Sequence, residues 1–189
     1  MANFDQYAPT LMRWEARIPK HPEGLTVAEL FEYAKKGGWV KDPVDKGGAT
    51  MVGVTIGTFR TYFGRSRTEK DLRNITYPQW RLIMKRYWDK CKGDDIENQS
   101  IAEIFVDWHI NCGVTAIRKF QSFFGLRVDG IVGPQTLGCL NSPNREVIFN
   151  RIQTARESYY RRIVINDPRQ GKFLAGWLNR NNYFKFKPE

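Results

Sequence analysis

Apolar residues recur at helical spacing along most of the chain, and capping or turn residues bound each run. The first run consists of Phe4, Tyr7, Ala8, Leu11 and Met12. Its i, i+3, i+4, i+7 spacing predicts an amphipathic helix with one buried face. Glu15 ends this helix among apolar rows, and a partly desolvated carboxyl favours its protonated form, which suits a general acid. The alternative interpretation is a solvated glutamate beside Arg13 and Arg17.

A turn-rich segment from residue 37 to residue 55 interrupts the helical pattern. Its Gly-Gly, Asp-Pro and Asp-Lys steps indicate a short hairpin, because glycine permits positive φ and close backbone approach. We expect this ribbon to present Asp45, Thr50 and Thr55 to a cleft. Upstream of it, Thr26-Val27-Ala28-Glu29 predicts a capping box that opens a short helix.

Further start and stop signals divide the rest of the chain into helices. Helix starts are predicted at the capping positions Thr55, Thr76–Gln79 and Ser100–Glu103, and at Pro134. Helix ends are predicted at Gly64, Gly113 and Gly125. A long helix is predicted over residues 143–165. The pattern breaks at Gly93-Asp94-Asp95, which predicts two closely packed modules, 1–93 and 94–189. The sequence therefore predicts a mainly α protein with a small β-ribbon.

Charge and cysteine content restrict the partners and cofactors. A net charge of +10 and a pI near 9.6 indicate attraction to polyanions such as nucleic acid, anionic membrane or acidic wall components. The three cysteines have no CxxC or His-spaced partner, so we expect buried free thiols, no zinc site and no cofactor. The N-terminus lacks the features of a signal peptide, and no run approaches the roughly 18 apolar residues of a membrane span.

Two helical residues are weaker candidates for chemistry. His109 has no Ser or Cys nucleophile motif nearby, so a structural role is favoured over a catalytic one. Asp107, on the same predicted helix, is a minor candidate. The arginine-bearing helix over residues 143–165 is the feature that best supports a rival nucleic-acid interpretation.

The ribbon carries a family resemblance. Trp14-Glu15, followed by Gly-Gly-Trp-Val-Lys-Asp-Pro-Val-Asp-Lys-Gly-Gly-Ala-Thr-Met-Val-Gly-Val-Thr over residues 37–55, resembles the signature of the glycoside hydrolase family 108 muramidases. In that phage-lysozyme-like family, often labelled secretion activator proteins, the catalytic glutamate directly precedes Gly-Gly. Here Lys36 precedes Gly37. Treating residues 16–36 as an inserted helix reduces the separation of Glu15 and Asp45 from 30 residues to 9 and restores the family spacing.

The resemblance implies a lysozyme-like helical fold with a β-hairpin beside the active site. It implies cleavage of the β-1,4 bond between N-acetylmuramic acid and N-acetylglucosamine, with Glu15 as the acid and Asp45, ranked ahead of Asp42, as the second carboxylate. Thr50 or Thr55 would help to hold a water. Trp39, Gly48 and Asp107 are assigned to substrate binding.

The second half of the chain carries another resemblance. Asp129-Gly130-Ile131-Val132-Gly133-Pro134 resembles a motif of the predicted peptidoglycan-binding domain that follows the hydrolase in this family. Asp129 and Gly130 are therefore substrate-binding candidates, although a turn and a helix start explain them without a ligand.

These resemblances imply bacterial peptidoglycan as partner, no nucleic acid, no metal and a monomer. The protein is expected to be made in the bacterial cytoplasm and to reach the wall through a holin, lysis or another non-classical export route. A non-catalytic wall-binding or secretion-assisting protein remains the alternative if the insertion displaces Glu15. A basic nucleic-acid-binding protein is the less favoured third interpretation.

Overall fold

The computed structural model describes residues 1–18, 22–41 and 48–188. Backbone contacts divide these residues into two compact units. The N-terminal unit is Phe4–Arg86, and the C-terminal unit combines Met1–Asn3 with the chain from Tyr87 onward. The division lies within one helix, close to the predicted boundary after residue 93.

The N-terminal unit combines short helices with a small antiparallel sheet. Its elements are α1 (Phe4–Glu15), α2 (Val27–Lys35), β1 (Trp39–Val40), β2 (Thr50–Met51), β3 (Val54–Thr55), α3 (Ile56–Phe63), α4 (Glu69–Arg73) and the first part of α5 (Tyr77–Lys90). The strands pair in the order β1-β2-β3. The predicted class, mainly α with a small β-ribbon, is confirmed.

The core of this unit forms around Trp80 on α5, whose side chain is fully buried. The ring of Phe4 on α1 lies 6.4 Å from the Trp80 ring between centroids, and the ring of Phe31 on α2 lies 5.5 Å away. Aromatic side chains of this size contribute most of the apolar area that a small core buries. One tryptophan therefore fixes α1 and α2 together, and with them the end of α1 that carries Glu15.

The C-terminal unit is a set of packed helices. Its elements after α5 are a 3₁₀ turn (Gly93–Asp95), α6 (Gln99–Cys112), α7 (Val114–Phe123), α8 (Pro134–Leu140), α9 (Arg145–Asn166), a 3₁₀ turn (Pro168–Gln170) and α10 (Gly171–Tyr183). Within the described ranges no helix combines the length and apolarity needed to cross a bilayer.

One predicted helix start in this unit is wrong. The expected capping box at Ser100–Glu103 does not form, because Asn98 caps α6 by accepting a hydrogen bond from the Ile101 amide at 3.1 Å. Ser100 lies inside the helix, where its hydroxyl accepts a hydrogen bond from the backbone amide of Lys187 at 3.0 Å. An asparagine and a serine two residues apart offer two possible starts, and packing of the distant C-terminal segment favours the first.

Candidate active site

Glu15 is the last residue of α1 and is half-buried. Its carboxylate lies against the backbone of Gly53, in the turn between β2 and β3. A Cβ atom added to Gly53 would come within 2.7 Å of the Glu15 Oε2 atom and 2.9 Å of its Cγ atom. Only a residue without a side chain permits this approach. The acid of the first helix and the glycine-rich ribbon therefore meet.

The turn that carries Gly53 is under backbone strain. Val52 and Gly53 join the two strands with φ values of 44° and 77°, the signs that a type I′ hairpin turn requires. Positive φ is an outlier for a β-branched residue such as valine. The surroundings hold it: the Val52 amide donates to the Gly38 carbonyl at 2.9 Å, and the Val52 carbonyl accepts from Trp80 Nε1 at 2.9 Å. Such strain persists only where neighbouring contacts fix it, often at functional sites.

Close packing also holds the Val52 side chain in place. Its side chain is fully buried, and a Cβ atom on Gly38 would lie 2.6 Å from Val52 Cγ2. Gly38 belongs to the first Gly-Gly pair of the ribbon and Gly53 follows the second. The glycines therefore allow the close packing that sets the hairpin turn on the Glu15 carboxylate.

Thr50 and Thr55 lie directly opposite each other on β2 and β3, and both are partly exposed. Opposed residues share a face, so the neighbouring pair, Met51 and Val54, fills the buried face. The Thr55 hydroxyl caps α3 by accepting from the Thr58 amide at 3.1 Å, and it donates to the Thr58 hydroxyl at 3.0 Å. The Thr50 hydroxyl has no hydrogen-bond partner among the described residues. Of the two threonines, Thr50 is the one whose hydroxyl is available to a water or substrate.

The remaining ribbon candidates have different surroundings. Trp39 is half-buried, and the Arg73 guanidinium lies 4.0 Å from its ring centroid, a cation–π contact. Gly48 has φ +69°, and a Cβ atom there would lie 3.3 Å from Ile56 Cγ2. Asp42 and Asp45 lie outside the described residues.

The two ends of the predicted insertion lie side by side. The Ala16 carbonyl oxygen lies 3.6 Å from the position that a Cβ atom on Gly37 would occupy. Between them, the capping box of α2 forms as predicted: the Thr26 amide donates to Glu29 Oε2 at 2.8 Å, and the Glu29 amide donates to the Thr26 hydroxyl at 3.3 Å. A chain segment that leaves and returns at one point can be inserted without moving its flanks. This geometry accounts for Glu15 reaching the ribbon despite the 21 intervening residues.

Two regions of the chain match known families. Residues 32–113 match the family model of glycosyl hydrolase 108, and residues 115–182 match the predicted peptidoglycan domain. The chain therefore contains a region similar to the glycosyl hydrolase 108 family. This match begins within α2, so Glu15 precedes the matched residues, while residues 32–36 of the predicted insertion lie inside the match.

The fold of this chain has a solved counterpart. The structure of Brucella abortus SagA is 25% identical to this chain, covers 85% of this chain and 94% of its own, and has a TM-score of 0.63. The predicted lysozyme-like helical fold is thereby confirmed. A search of curated proteins found no match to the chain.

Asp107, one of the expected substrate contacts, is enclosed in the core of the C-terminal unit. Its side chain is fully buried and pairs with the buried Arg156 guanidinium at 2.6 Å. Arg180 forms a bidentate pair with the same carboxylate at 2.8 and 3.0 Å, and Asn111 donates to Oδ2 at 3.2 Å. Burial disfavours the charged guanidinium of Arg156, but attraction to Asp107 and Tyr160 outweighs this effect and raises the pKa of Arg156. A carboxylate enclosed in this way has no access to a glycan, and its role here is structural.

Asp129 and Gly130 form a loop that Gln121 holds in place. The amide nitrogen of Gln121 donates to Asp129 Oδ1 at 2.9 Å, and its oxygen accepts from the Gly130 amide at 2.8 Å. Asp129 Oδ1 also accepts from the Ile131 amide at 2.8 Å, and this hydrogen bond is the main reason its pKa is lowered. Gly130 has φ +77° and packs on Val114. The turn thus explains both residues without a ligand, and the buried Gln121 is the structural residue that the sequence analysis missed.

His109 occupies a structural position on α6. It is buried, and desolvation lowers its pKa, which favours the neutral imidazole. Its carbonyl accepts the closing hydrogen bond of the helix from Gly113 at 2.7 Å. Its ring lies 6.2 Å from that of Tyr87 between centroids. The prediction of a structural histidine accords with these contacts.

Replacement of Gly53 by alanine tests the contact with Glu15. We expect Gly53→Ala to reduce peptidoglycan hydrolysis at least about tenfold, because the new methyl group displaces the carboxylate that we predict to be the general acid. The matched control is Gly24→Ala, since Gly24 has φ +79° and nothing within 4 Å of its would-be Cβ. Both variants incur backbone strain of about 1–2 kcal/mol. Initial rates on dye-labelled sacculi and thermal unfolding separate the two effects, and equal losses of rate would contradict the proposed contact.

Proposed function

We propose that the protein is a muramidase that hydrolyses the β-1,4 bond between N-acetylmuramic acid and N-acetylglucosamine in peptidoglycan. The family match and the adjoining predicted peptidoglycan domain support a lysozyme-like peptidoglycan hydrolase. The observation that carries the finer proposal is the packing of the Glu15 carboxylate on Gly53, at the turn of the family-matching ribbon. In the family motif the acid directly precedes Gly-Gly, but here Lys36 occupies that position. Glu15 would provide the carboxylate instead.

In the proposed reaction, Glu15 donates its proton to the glycosidic oxygen as that bond breaks. Positive charge then develops on the sugar ring in an oxocarbenium-like transition state. Asp45 is proposed as the second carboxylate, which stabilises this charge or activates the attacking water. The Thr50 hydroxyl is proposed to hold that water, since the Thr55 hydroxyl is engaged in capping α3. The attacking water adds to the anomeric carbon. The proton that it releases returns the two carboxyl groups to their starting state, in which one is protonated and the other is ionised.

Bacterial peptidoglycan is the proposed partner, and the second family match supports this choice. The helical unit that follows α5 would retain the enzyme on the wall while the Glu15 site cleaves glycan strands. The proposed place of action is the cell wall, reached after release from the cytoplasm. The net charge of +10 favours association with the anionic wall.

Digestion of purified sacculi distinguishes a hydrolase from a wall-binding protein that lacks activity. The hydrolase proposal predicts that the full chain releases soluble muropeptides in proportion to enzyme and time. Co-sedimentation with sacculi without any release would instead indicate a non-catalytic wall-binding protein. Heat-denatured protein serves as the blank for both measurements.

A further inference from the structure

A groove of about 280 Å³ runs between α7 and α9 in the C-terminal unit. The buried side chain of Ala155 lies in it. Its other lining residues are Lys119, Ser122 and Phe123 from α7, and Ser158, Tyr159 and Arg162 from α9. The groove therefore combines an apolar contact with hydroxyl groups, an aromatic ring and one cation from each helix.

Four polar side chains of this groove are not used by the fold, whereas the Tyr159 hydroxyl shares a hydrogen bond with the Cys112 thiol. Lys119 and Arg162 are exposed, and neither forms an ion pair with any residue in the described ranges. The neighbouring Arg161, in contrast, pairs with Glu157 at 2.8 Å. The hydroxyls of Ser122 and Ser158 likewise have no hydrogen-bond partner in the described part of the chain. Phe123 exposes 41% of its surface.

This combination specifies the chemistry of a ligand. Cations on opposite walls favour an anion with separated negative groups, and charge-assisted hydrogen bonds to carboxylates are stronger than neutral ones. The hydroxyls suit amide groups, and the exposed ring suits small apolar groups. The lining contains no acidic side chain to oppose an anion. A volume near the lower end of ligand pockets suits a few small residues rather than a folded partner.

We propose that this groove binds the carboxylate-bearing stem peptide of peptidoglycan. This inference rests on the proposed function, because it assumes that the wall polymer is the partner. The stem peptide carries free carboxylates, amide groups and small side chains, whereas the glycan backbone is mostly neutral. The groove lies within residues 115–182, the range that matches the predicted peptidoglycan domain. The proposal thus gives that domain a ligand and a location for it.

The test measures binding without hydrolysis. The full chain carrying Glu15→Gln is sedimented with intact sacculi and with glycan strands from which an amidase has removed the peptides. The groove variant adds Lys119→Gln and Arg162→Gln. The control adds Arg161→Gln and Lys172→Gln, which remove the same charge from the same unit outside the groove. We expect the groove variant to bind intact sacculi at least about tenfold more weakly, and the control to change less than about twofold.

Three results would overturn the inference. Equal binding to intact sacculi and to stripped strands would exclude peptide recognition. Equal losses in the groove and control variants would indicate general charge attraction. Salt-dependent binding to duplex DNA that the groove variant alone loses would indicate nucleic acid as the ligand. The hydrolase proposal is tested separately, and it fails if the wild-type chain releases no muropeptides. Thermal unfolding of each variant establishes that the variant is folded.

Discussion

Glu15→Gln is expected to lower the rate of peptidoglycan hydrolysis at least about 100-fold and to leave the fold intact. Glutamine has nearly the same size, so the half-buried side chain keeps its place against Gly53. It has no acidic proton to give to the leaving oxygen. General acid–base catalysis contributes about 10²–10⁴-fold to such reactions. Initial rates on dye-labelled sacculi, with thermal unfolding in parallel, measure both parts of this expectation.

Glu32→Gln is the matched control. Glu32 lies on α2, its side chain is 61% exposed, and it pairs with Lys35 at 3.1 Å. It is also the first residue of the glycosyl hydrolase 108 match. We expect its replacement to change the rate less than about twofold. If the Glu15 variant retained activity and the Glu32 variant lost it, the general acid would be Glu32 on α2 rather than Glu15.

Asp107→Asn is expected to give the largest loss of stability, about 3–5 kcal/mol in the free energy of unfolding. The substitution leaves the buried guanidinium of Arg156 and the largely buried one of Arg180 without their counter-charge. Removing one partner of a buried ion pair costs this much because the remaining charge stays desolvated. Urea unfolding of the full chain, followed by circular dichroism, measures the change.

Asp167→Asn provides the comparison for the same chemical change at the surface. Asp167 pairs with Arg169 at 2.8 Å, but the Arg169 side chain is 90% exposed. Exposed pairs contribute little to stability, and asparagine retains the capacity to cap a turn. Equal destabilisation by the two variants would show that the Asp107 cluster does not stabilise the core. Weakened wall binding by Asp107→Asn with unchanged stability would restore its predicted role in substrate binding.

Local sequence signals predicted the local structure well. The capping boxes at Thr26 and Thr76 form because their hydrogen-bonding partners lie three residues away. The Gly64 stop follows from the same short-range chemistry. The apolar residues of α5 recur at helical spacing and form its buried face, which includes Trp80 and Trp88. The capping box predicted at Ser100 does not form, because Ser100 contacts the distant Lys187 and the helix begins two residues earlier. Local signals cannot predict such a long-range contact.

Long-range contacts of the candidate site could be predicted only in part. The family spacing indicated that Glu15 and the ribbon belong together, but not that Gly53 is the residue that receives the carboxylate. Nothing in a single sequence reveals that Val52 adopts positive φ or that Trp80 holds its carbonyl. The partners of Asp107 lie 49 and 73 residues away, beyond the reach of any local pattern.

Identification of the reducing ends in a digest of purified sacculi tests the central claim most directly. Products of the wild-type chain are reduced with borohydride and analysed by mass spectrometry, with the Glu15→Gln chain treated in parallel. Reduced muramic acid ends from the wild-type chain, and none from the variant, are the predicted result. Reduced glucosamine ends, free stem peptides without new sugar ends, or equal muramic acid release by both chains would contradict it.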